Sequence, residues 1–206
     1  MSVKLIWVTP DAEKHMMYCA RVSSTDQDST NTRLLNYCIK HGHWSIFEMA
    51  SMCVEVVTTR DISAQMIRHK SFSFQEFSQR YAESTNIVLA NPRRQDTKNR
   101  QNSTDDLDEQ TKGWFINQQH RLNTECMKAY KHALDLGVAK ECARKLLPMN
   151  SETKLYMSGT VRSFIHYLQL RTHESTQLEH RDIANAINDI FKQELPIIHA
   201  AIEGVK

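Results

Sequence analysis

The stretch RHKSFSFQEFSQRY, residues 68 to 81, sets Arg68, His69, Lys70, Glu76 and Arg80 among three serines and three phenylalanines. Guanidinium forks and hydroxyls close together are what an oxyanion such as a phosphate requires, because charge-assisted N–H and O–H donors bind it most strongly. Arg68, Ser71, Ser73, Ser78 and Arg80 are the richest local set for that chemistry, and the alternative is a solvated loop with charges placed by chance. The segment VRSFIHYLQLR carries a second set. There Arg162, His166 and Gln169 follow i, i+4, i+7 spacing and share a helix face, whereas Arg171, nine residues past Arg162, points roughly the opposite way at about 100° per residue. One helix can thus offer polar groups to two sites, or else two exposed arginines flank a core stripe of Phe164, Ile165 and Leu168. KHGHWSIFE, residues 40 to 48, is the third set; His41 and His43 have no evident third metal ligand, and a polar, Gly-broken helix end over a cleft is the reading we adopt.

Other chemistries are absent as motifs. There is no G-x-G-x-x-G, no P-loop and no G-x-S-x-G elbow, and the whole chain has only five glycines with which to build a phosphate cradle. Cys19, Cys38, Cys53, Cys126 and Cys142 are scattered, odd in number and form no C-x-x-C pair, which argues for small hydrophobes in a reducing compartment rather than zinc ligands or disulfides. Ser78 has no adjacent base in the sequence and reads as a phosphate ligand rather than a nucleophile.

The elements that must hold these residues follow from periodicity. At 206 residues, 40% hydrophobic and 24% charged, with net charge +2, the composition predicts one globular domain spanning 1–206 and makes no electrostatic demand for nucleic acid or membrane. No run of about 18 apolar residues predicts a membrane span, and MSVKLIWVTPDAEKH lacks the features of a secretory signal, so a cytoplasmic location is expected. VKLIWVT and MASMCVEVVTT read as strands, KLYMSGT as a strand or extended segment and NIVLA as strand-like. Helices are expected over PDAEKHMMYCARVS; over STNTRLLNYCIKHGH, capped near Ser29 or Thr30 and stopped by Gly42; over RDISAQMIRHK; from Asp108 to about Gly137; and over AKECARKLLP, VRSFIHYLQLRTH and LEHRDIANAINDIFKQEL, the last bent or ended at Pro196. The stretch after Lys70 reads as a loop, and NPRRQDTKNRQNSTDD as a mobile surface loop. Helices outnumber strands without alternating with them, which predicts an α+β fold with a small, mainly antiparallel sheet.

These motifs together resemble the flavin-dependent thymidylate synthase family (ThyX), whose hallmark is an R-H-R triplet separated by seven residues from a serine. Arg68, His69 and Lys70 are followed at that distance by Ser78, and FSQRY completes the motif. CARVSS at 19 to 24, KHGHWSIFE at 40 to 48, ECARKLLP at 141 to 148, RSFIHYLQLR at 162 to 171 and QLE at 177 to 179 fall in the family's order and spacing. The resemblance implies a methyltransferase that makes dTMP from dUMP, with 5,10-methylenetetrahydrofolate as one-carbon donor, NADPH as reductant, FAD as cofactor and no cysteine nucleophile. It implies dUMP contacts at Gln65, Arg68, Glu76, Phe77, Ser78, Gln79, Arg80, Arg144 and Arg171, with Arg171 on the uracil ring as the catalytic residue. It implies FAD contacts at Ser23, Ser45, Glu48, Arg68, His69, Lys70, Ser71, Gln75, Glu76, Arg162 and His166, folate or NADPH contacts at His43 and Lys70, no metal, and a homotetramer with shared active sites. The chain departs from the family at Lys70, which replaces the hallmark's second arginine, at Ile46 where a proline is expected, and at Thr160 and His166 where asparagines are common. Two other classes remain open at this point. A nucleic-acid-binding module is motivated by Arg93, Arg94, Lys98 and Arg100 but opposed by the nearby Asp96, Asp105, Asp106, Asp108 and Glu109. An NADPH oxidase would share the flavin residues without needing the dUMP loop.

Overall fold

Met52, Val54 and Val56 alternate with Cys53, Glu55 and Val57 along one segment, and Leu155 and Met157 alternate with Lys154 and Tyr156 along another. The first member of each set is fully buried, so two strands share one apolar face. The computed structural model describes residues 1–84 and 86–204 and builds these segments into a sheet. β1 (Ser2–Val8) leads to α1 (Ala12–Ala20) and α2 (Arg33–Lys40), then a 3-10 turn (Trp44–Glu48) and β2 (Ser51–Thr59). α3 (Arg60–Met66) and β3 (Ser73–Glu76) follow, then a hairpin of β4 (Arg94–Gln95) and β5 (Ser103–Thr104). The chain continues through α4 (Glu109–Asp135), α5 (Lys140–Ala143), a second 3-10 turn (Arg144–Leu146), β6 (Glu152–Thr160), α6 (Val161–Arg171), α7 (Leu178–Glu194) and α8 (Pro196–Glu203). The main sheet has the order β1-β2-β6-β3, and every pairing in it is antiparallel. The α+β architecture with a small antiparallel sheet is therefore the one found.

The central pair decides where the site lies. β2 and β6 pair along their whole length, Ser51 opposite Thr160 and Thr59 opposite Glu152. Each passes directly into a helix, β2 into α3 and β6 into α6, so the two helices leave opposite ends of the pair. Both lie on the buried face, since Ile62 and Met66 of α3 share one core with Phe164, Ile165 and Leu168 of α6 and with Ile183, Ile187 and Phe191 of α7. Running toward each other over one face, α3 and α6 bring their C-terminal ends together. Thr160 starts α6 by accepting a hydrogen bond from the Ser163 amide at 3.2 Å, an N-cap that fixes the helix's rotation at the strand junction.

Four expectations change. Residues 73–76 form a strand, not a loop: Phe74 and Glu76 turn inward while Ser73 and Gln75 are exposed, and Ser73 pairs with Ser158 and Glu76 with Leu155. Residues 91–106 close as the β4–β5 hairpin, with Arg94 opposite Thr104. NIVLA contributes only an isolated bridge, Ile87 to Ser151. Gly42 does stop α2 in the left-handed region, at φ 68°, although the cap is Thr32 rather than Ser29 or Thr30. α7 ends one residue short of Leu195, and Pro196 opens α8.

Candidate active site

The inward turn of β3 gives Glu76 a fixed place. Its Oε1 accepts hydrogen bonds from the Ser63 hydroxyl at 2.6 Å and the Thr153 hydroxyl at 3.0 Å, and it pairs with Arg60 Nη1 at 2.8 Å. Arg60 and Ser63 stand one turn apart on α3, so the helix presents both donors to one oxygen. Oε2 takes none of these bonds, which leaves it the acceptor Glu76 can offer a ligand. Arg60 was missed by sequence reasoning; the signal was a lone carboxylate in a cationic segment, which needs a partner once it turns inward.

The converging ends of α3 and α6 form the second cluster. Arg171 Nε donates to His69 Nε2 at 2.9 Å, so His69 is neutral with its proton on Nδ1. Burial, then the Arg171 and Arg68 charges, push its pKa below the usual histidine value. The His69 ring lies edge-on to Tyr167, centroids 5.0 Å apart. Behind them His180 is completely buried, with Nε2 3.1 Å from the Tyr167 hydroxyl and Nδ1 3.4 Å from Gln65 Oε1. Gln65 Nε2 donates to Gln177 Oε1 at 2.6 Å, and Gln177 Nε2 donates to Glu179 Oε2 at 3.0 Å. Glu179 also holds Arg93 Nη2 at 2.8 Å, and Arg93 Nε donates to Ser103 Oγ of the hairpin at 2.8 Å. The Arg93 side chain is 11% exposed. Arg93 and Arg94, the latter paired with Asp106 at 2.9 Å, are thus internal fasteners of the hairpin, which removes two of the four cations behind the nucleic-acid reading.

Burial pushes the His180 pKa from 6.5 down to about 3, with the Arg171 charge adding to the effect. Between those values the unfolded chain takes up a proton that the folded chain refuses. Stability therefore falls as pH drops from about 6.5 toward 3, by up to about 1.4 kcal/mol per pH unit from this group, and is unaffected above that window. Thermal melts from pH 7.5 to 4.5 should show a shallower acid slope for His180→Gln than for the wild type; equal slopes would mean that His180 titrates normally.

A third group surrounds the first turn of α6. Arg162 Nη1 donates to Glu48 Oε1 at 2.6 Å, and the His166 ring packs edge-on against Trp44 at 4.7 Å. Burial, then the Arg162 charge, lowers the His166 pKa. The Ser163 hydroxyl donates to the Ser71 carbonyl at 3.0 Å, tying the segment containing Lys70 and Ser71 to this turn. The faces expected of the helix are observed: Arg162 and His166 meet the Trp44–Glu48 turn, while Arg171 meets His69.

The fourth group is the loop after β3. The Phe77 amide bonds the Lys154 carbonyl at 2.8 Å, and Phe77 lines a cleft of about 490 Å³ with Val57, Ser84, Glu152 and Lys154. Ser78 Oγ accepts from the Arg80 amide at 3.3 Å, and Arg80 pairs with Glu141 at 3.6 Å, which brings the loop to the helix preceding Arg144. Gln79 is 6% exposed, and its buried Nε2 has no acceptor among the described residues. Among the described residues, no side-chain hydrogen bond or ion pair links Ser23, Ser45, Gln75 or Arg144 to another expected site residue, and none engages Arg68 or Lys70. His43 sits with the rings of Tyr37 and His41, at 5.7 and 6.3 Å. No group of three metal-binding side chains occurs among the described residues, and no helix among them is long and apolar enough to cross a membrane.

Residues 4–197 match the family model described as thymidylate synthase complementing protein. The chain is 54% identical over 187 residues to a flavin-dependent thymidylate synthase from Synechocystis, covering 90% of this chain and 87% of that one. It is 48% identical over 220 aligned positions, with both chains fully covered, to a probable flavin-dependent thymidylate synthase of Paramecium bursaria Chlorella virus 1. In fold it is similar to a UMP/dUMP methylase, PolB from Streptomyces cacaoi, solved with 5-Br dUMP, with TM-score 0.88, 23% identity and coverage of 98% of this chain and 94% of that one.

Proposed function

The chain belongs to the flavin-dependent thymidylate synthase family, and we propose that it divides the family's reaction, dUMP to dTMP with methylenetetrahydrofolate, NADPH and FAD, among the groups described above. The observation that carries this division is the fate of the hallmark triplet. His69 is used internally, as the acceptor that orients Arg171 at 2.9 Å, while Arg68 and Lys70 on either side have no carboxylate partner among the described residues. Cations that a protein leaves unpaired beside a neutral imidazole are available to anionic ligands.

Arg171 takes the pyrimidine ring. With Nε held by His69, its Nη groups remain to donate to a carbonyl oxygen of the ring, where the guanidinium stabilises the negative charge on the pyrimidine edge that makes C5 nucleophilic toward the one-carbon electrophile. Ser78, Arg80 and Arg144, with loop amides, take the 5′-phosphate, for which Arg80 exchanges its long contact to Glu141. Glu76 Oε2 and Gln65 serve the ribose side, and the apolar Phe77 edge limits water. The flavin surface comprises Ser23, Ser45, Glu48, Arg68, His69, Lys70, Ser71, Gln75, Arg162 and His166, with His43 and Lys70 toward folate or NADPH. The donor set fits an anionic dinucleotide, since Arg68 and Lys70 are unpaired among the described residues and the Arg162–Glu48 pair is surface-exposed and readily exchanged. FAD, when bound, carries reducing equivalents from NADPH to the one-carbon unit. The cysteines fit a reaction without a thiol nucleophile: Cys38 and Cys53 are buried with thiol pKa values raised by burial, so the reactive thiolate is disfavoured.

The reading includes a homotetramer with shared active sites. α4 supports such an assembly. At 27 residues it spans about 40 Å, yet Tyr130 is its one buried residue, and Trp114 and Leu122 stand 61% and 51% exposed.

Purified protein supplied with FAD, NADPH, methylenetetrahydrofolate and dUMP is expected to form dTMP, and omission of FAD from the apoprotein to abolish it. NADPH oxidation at full rate with no dTMP formed would establish the oxidase reading instead.

A further inference from the structure

The hydrogen bonds that reach Gln65 have a direction, and that direction originates at Glu179. Glu179 is ionised: burial pushes its carboxyl up, but its own backbone amide, Arg93 and Gln177 together hold it below the usual range. A carboxylate only accepts, so the Gln177 amide must turn its nitrogen toward Glu179 and its oxygen toward Gln65. Gln65 must then donate from Nε2 at 2.6 Å and offer Oε1 to His180. His180, neutral, donates from Nδ1 and accepts at Nε2 from the Tyr167 hydroxyl at 3.1 Å. An isolated glutamine amide has two orientations of nearly equal energy; here five side chains in series permit one. The charge that selects it is held by Arg93, which the hairpin supplies through Ser103 at 2.8 Å.

We propose that Glu179, clamped by Arg93, is a positioning residue for the nucleotide substrate, acting through Gln177 to fix which end of the Gln65 amide faces the site. The inference rests on the reading above that Gln65 contacts dUMP. It also gives the 91–106 segment a role: the hairpin delivers the cation that keeps Glu179 charged and in place. Gln65 Nε2 retains one N–H beyond the bond to Gln177, and that donor is what the relay aims at the ligand.

The test uses the FAD-loaded enzyme. Glu179→Gln replaces an obligate acceptor with a group that can also donate, without changing shape. Its KM for dUMP is expected to rise about 10-fold, in the range usual for outer-shell partners, with kcat within a few-fold and FAD affinity unchanged. Gln177→Met severs the link while leaving the Arg93–Glu179 pair intact, and is expected to raise the same KM, which covers the case in which Glu179→Gln fails to fold. Because Glu179 acts through Gln65, the double variant Gln65→Ala/Glu179→Gln is expected to be no worse than Gln65→Ala. Additive losses, or an unchanged dUMP KM in both Glu179→Gln and Gln177→Met, would overturn the relay. A wild-type dUMP KM in Gln65→Ala would overturn the substrate contact and this proposal with it, while dTMP synthesis by the wild type would still stand. The 15N shifts of His180 provide a readout besides activity: the wild type is expected as the Nδ1–H tautomer and Glu179→Gln as a mixture, and an unmixed Nδ1–H tautomer in Glu179→Gln also counts against the relay.

Discussion

Arg171→Ala is expected to lower dTMP formation at saturating dUMP by about 10²- to 10³-fold, the usual consequence of removing one donor that acts on charge developed in a transition state. FAD is expected to remain bound, because the flavin surface on α6 is Arg162 and His166, one face away. A second signature separates a role in chemistry from a role in packing. His69 is held neutral by burial and then by the Arg171 and Arg68 charges, so deleting Arg171 removes one of the depressing charges and frees Nε2 to accept a proton. The acid limb of the pH–rate profile of Arg171→Ala is therefore expected to shift upward relative to the wild type. Arg171→Lys restores charge but not the planar fork that can hold His69 and a carbonyl together, so it should recover only part of the lost rate. Wild-type turnover by Arg171→Ala would remove Arg171 from the uracil.

What the sequence made legible, and what it did not, divides by range. The strand β2 announces itself by period-two alternation of its buried face, whereas the same alternation in KLYMSGT, shorter and ending in Ser-Gly-Thr, suggests a strand or an extended segment equally. The two-faced character of α6 follows from helical geometry alone, and Arg162, His166 and Arg171 lie where 100° steps put them. β3 reads as a loop in the sequence because it is four residues long and embedded among cations, although Phe72, Phe74 and Glu76 alternate with Ser71, Ser73 and Gln75. What makes it a strand is the pairing with β6, some eighty positions away, and no local pattern encodes that. Arg93 looks like a surface-loop cation in the sequence for a similar reason: its partner Glu179 is 86 residues distant. The Arg60–Glu76 pair depends on the same long-range pairing, since only β3 turns Glu76 inward toward α3. The division of residues between nucleotide and flavin came from the family motifs; the residue types by themselves indicated only an anion site.

Gly159→Ala should be the most damaging single-methyl change in the sheet, and its damage should reach the site. Gly159 lies on β6 opposite Met52, and a Cβ there would fall 2.5 Å from Phe72 Cδ1 and 2.9 Å from Cε1. The ring has little room to retreat. It is 9% exposed and packs edge-on against Phe164 at 4.9 Å and Tyr167 at 5.8 Å. Overpacking of this kind costs about 1–3 kcal/mol, which for a chain of this size lowers the melting temperature by about 2–4 °C per kcal/mol. The displacement also has a direction. Phe72 joins His69 to β3, its amide bonding the His69 carbonyl at 3.2 Å, so moving the ring moves the imidazole that orients Arg171. Gly159→Ala is thus expected to lose turnover beyond its loss of folded protein. Pairing it with Phe72→Leu, which vacates the space the methyl needs, should recover part of the stability lost in the single variants, a non-additivity expected only where the two side chains compete for the same volume. A Gly159→Ala protein that melts and turns over like the wild type would show that Phe72 can repack freely, and that the β6–Phe72–His69 contact does not set the geometry of Arg171.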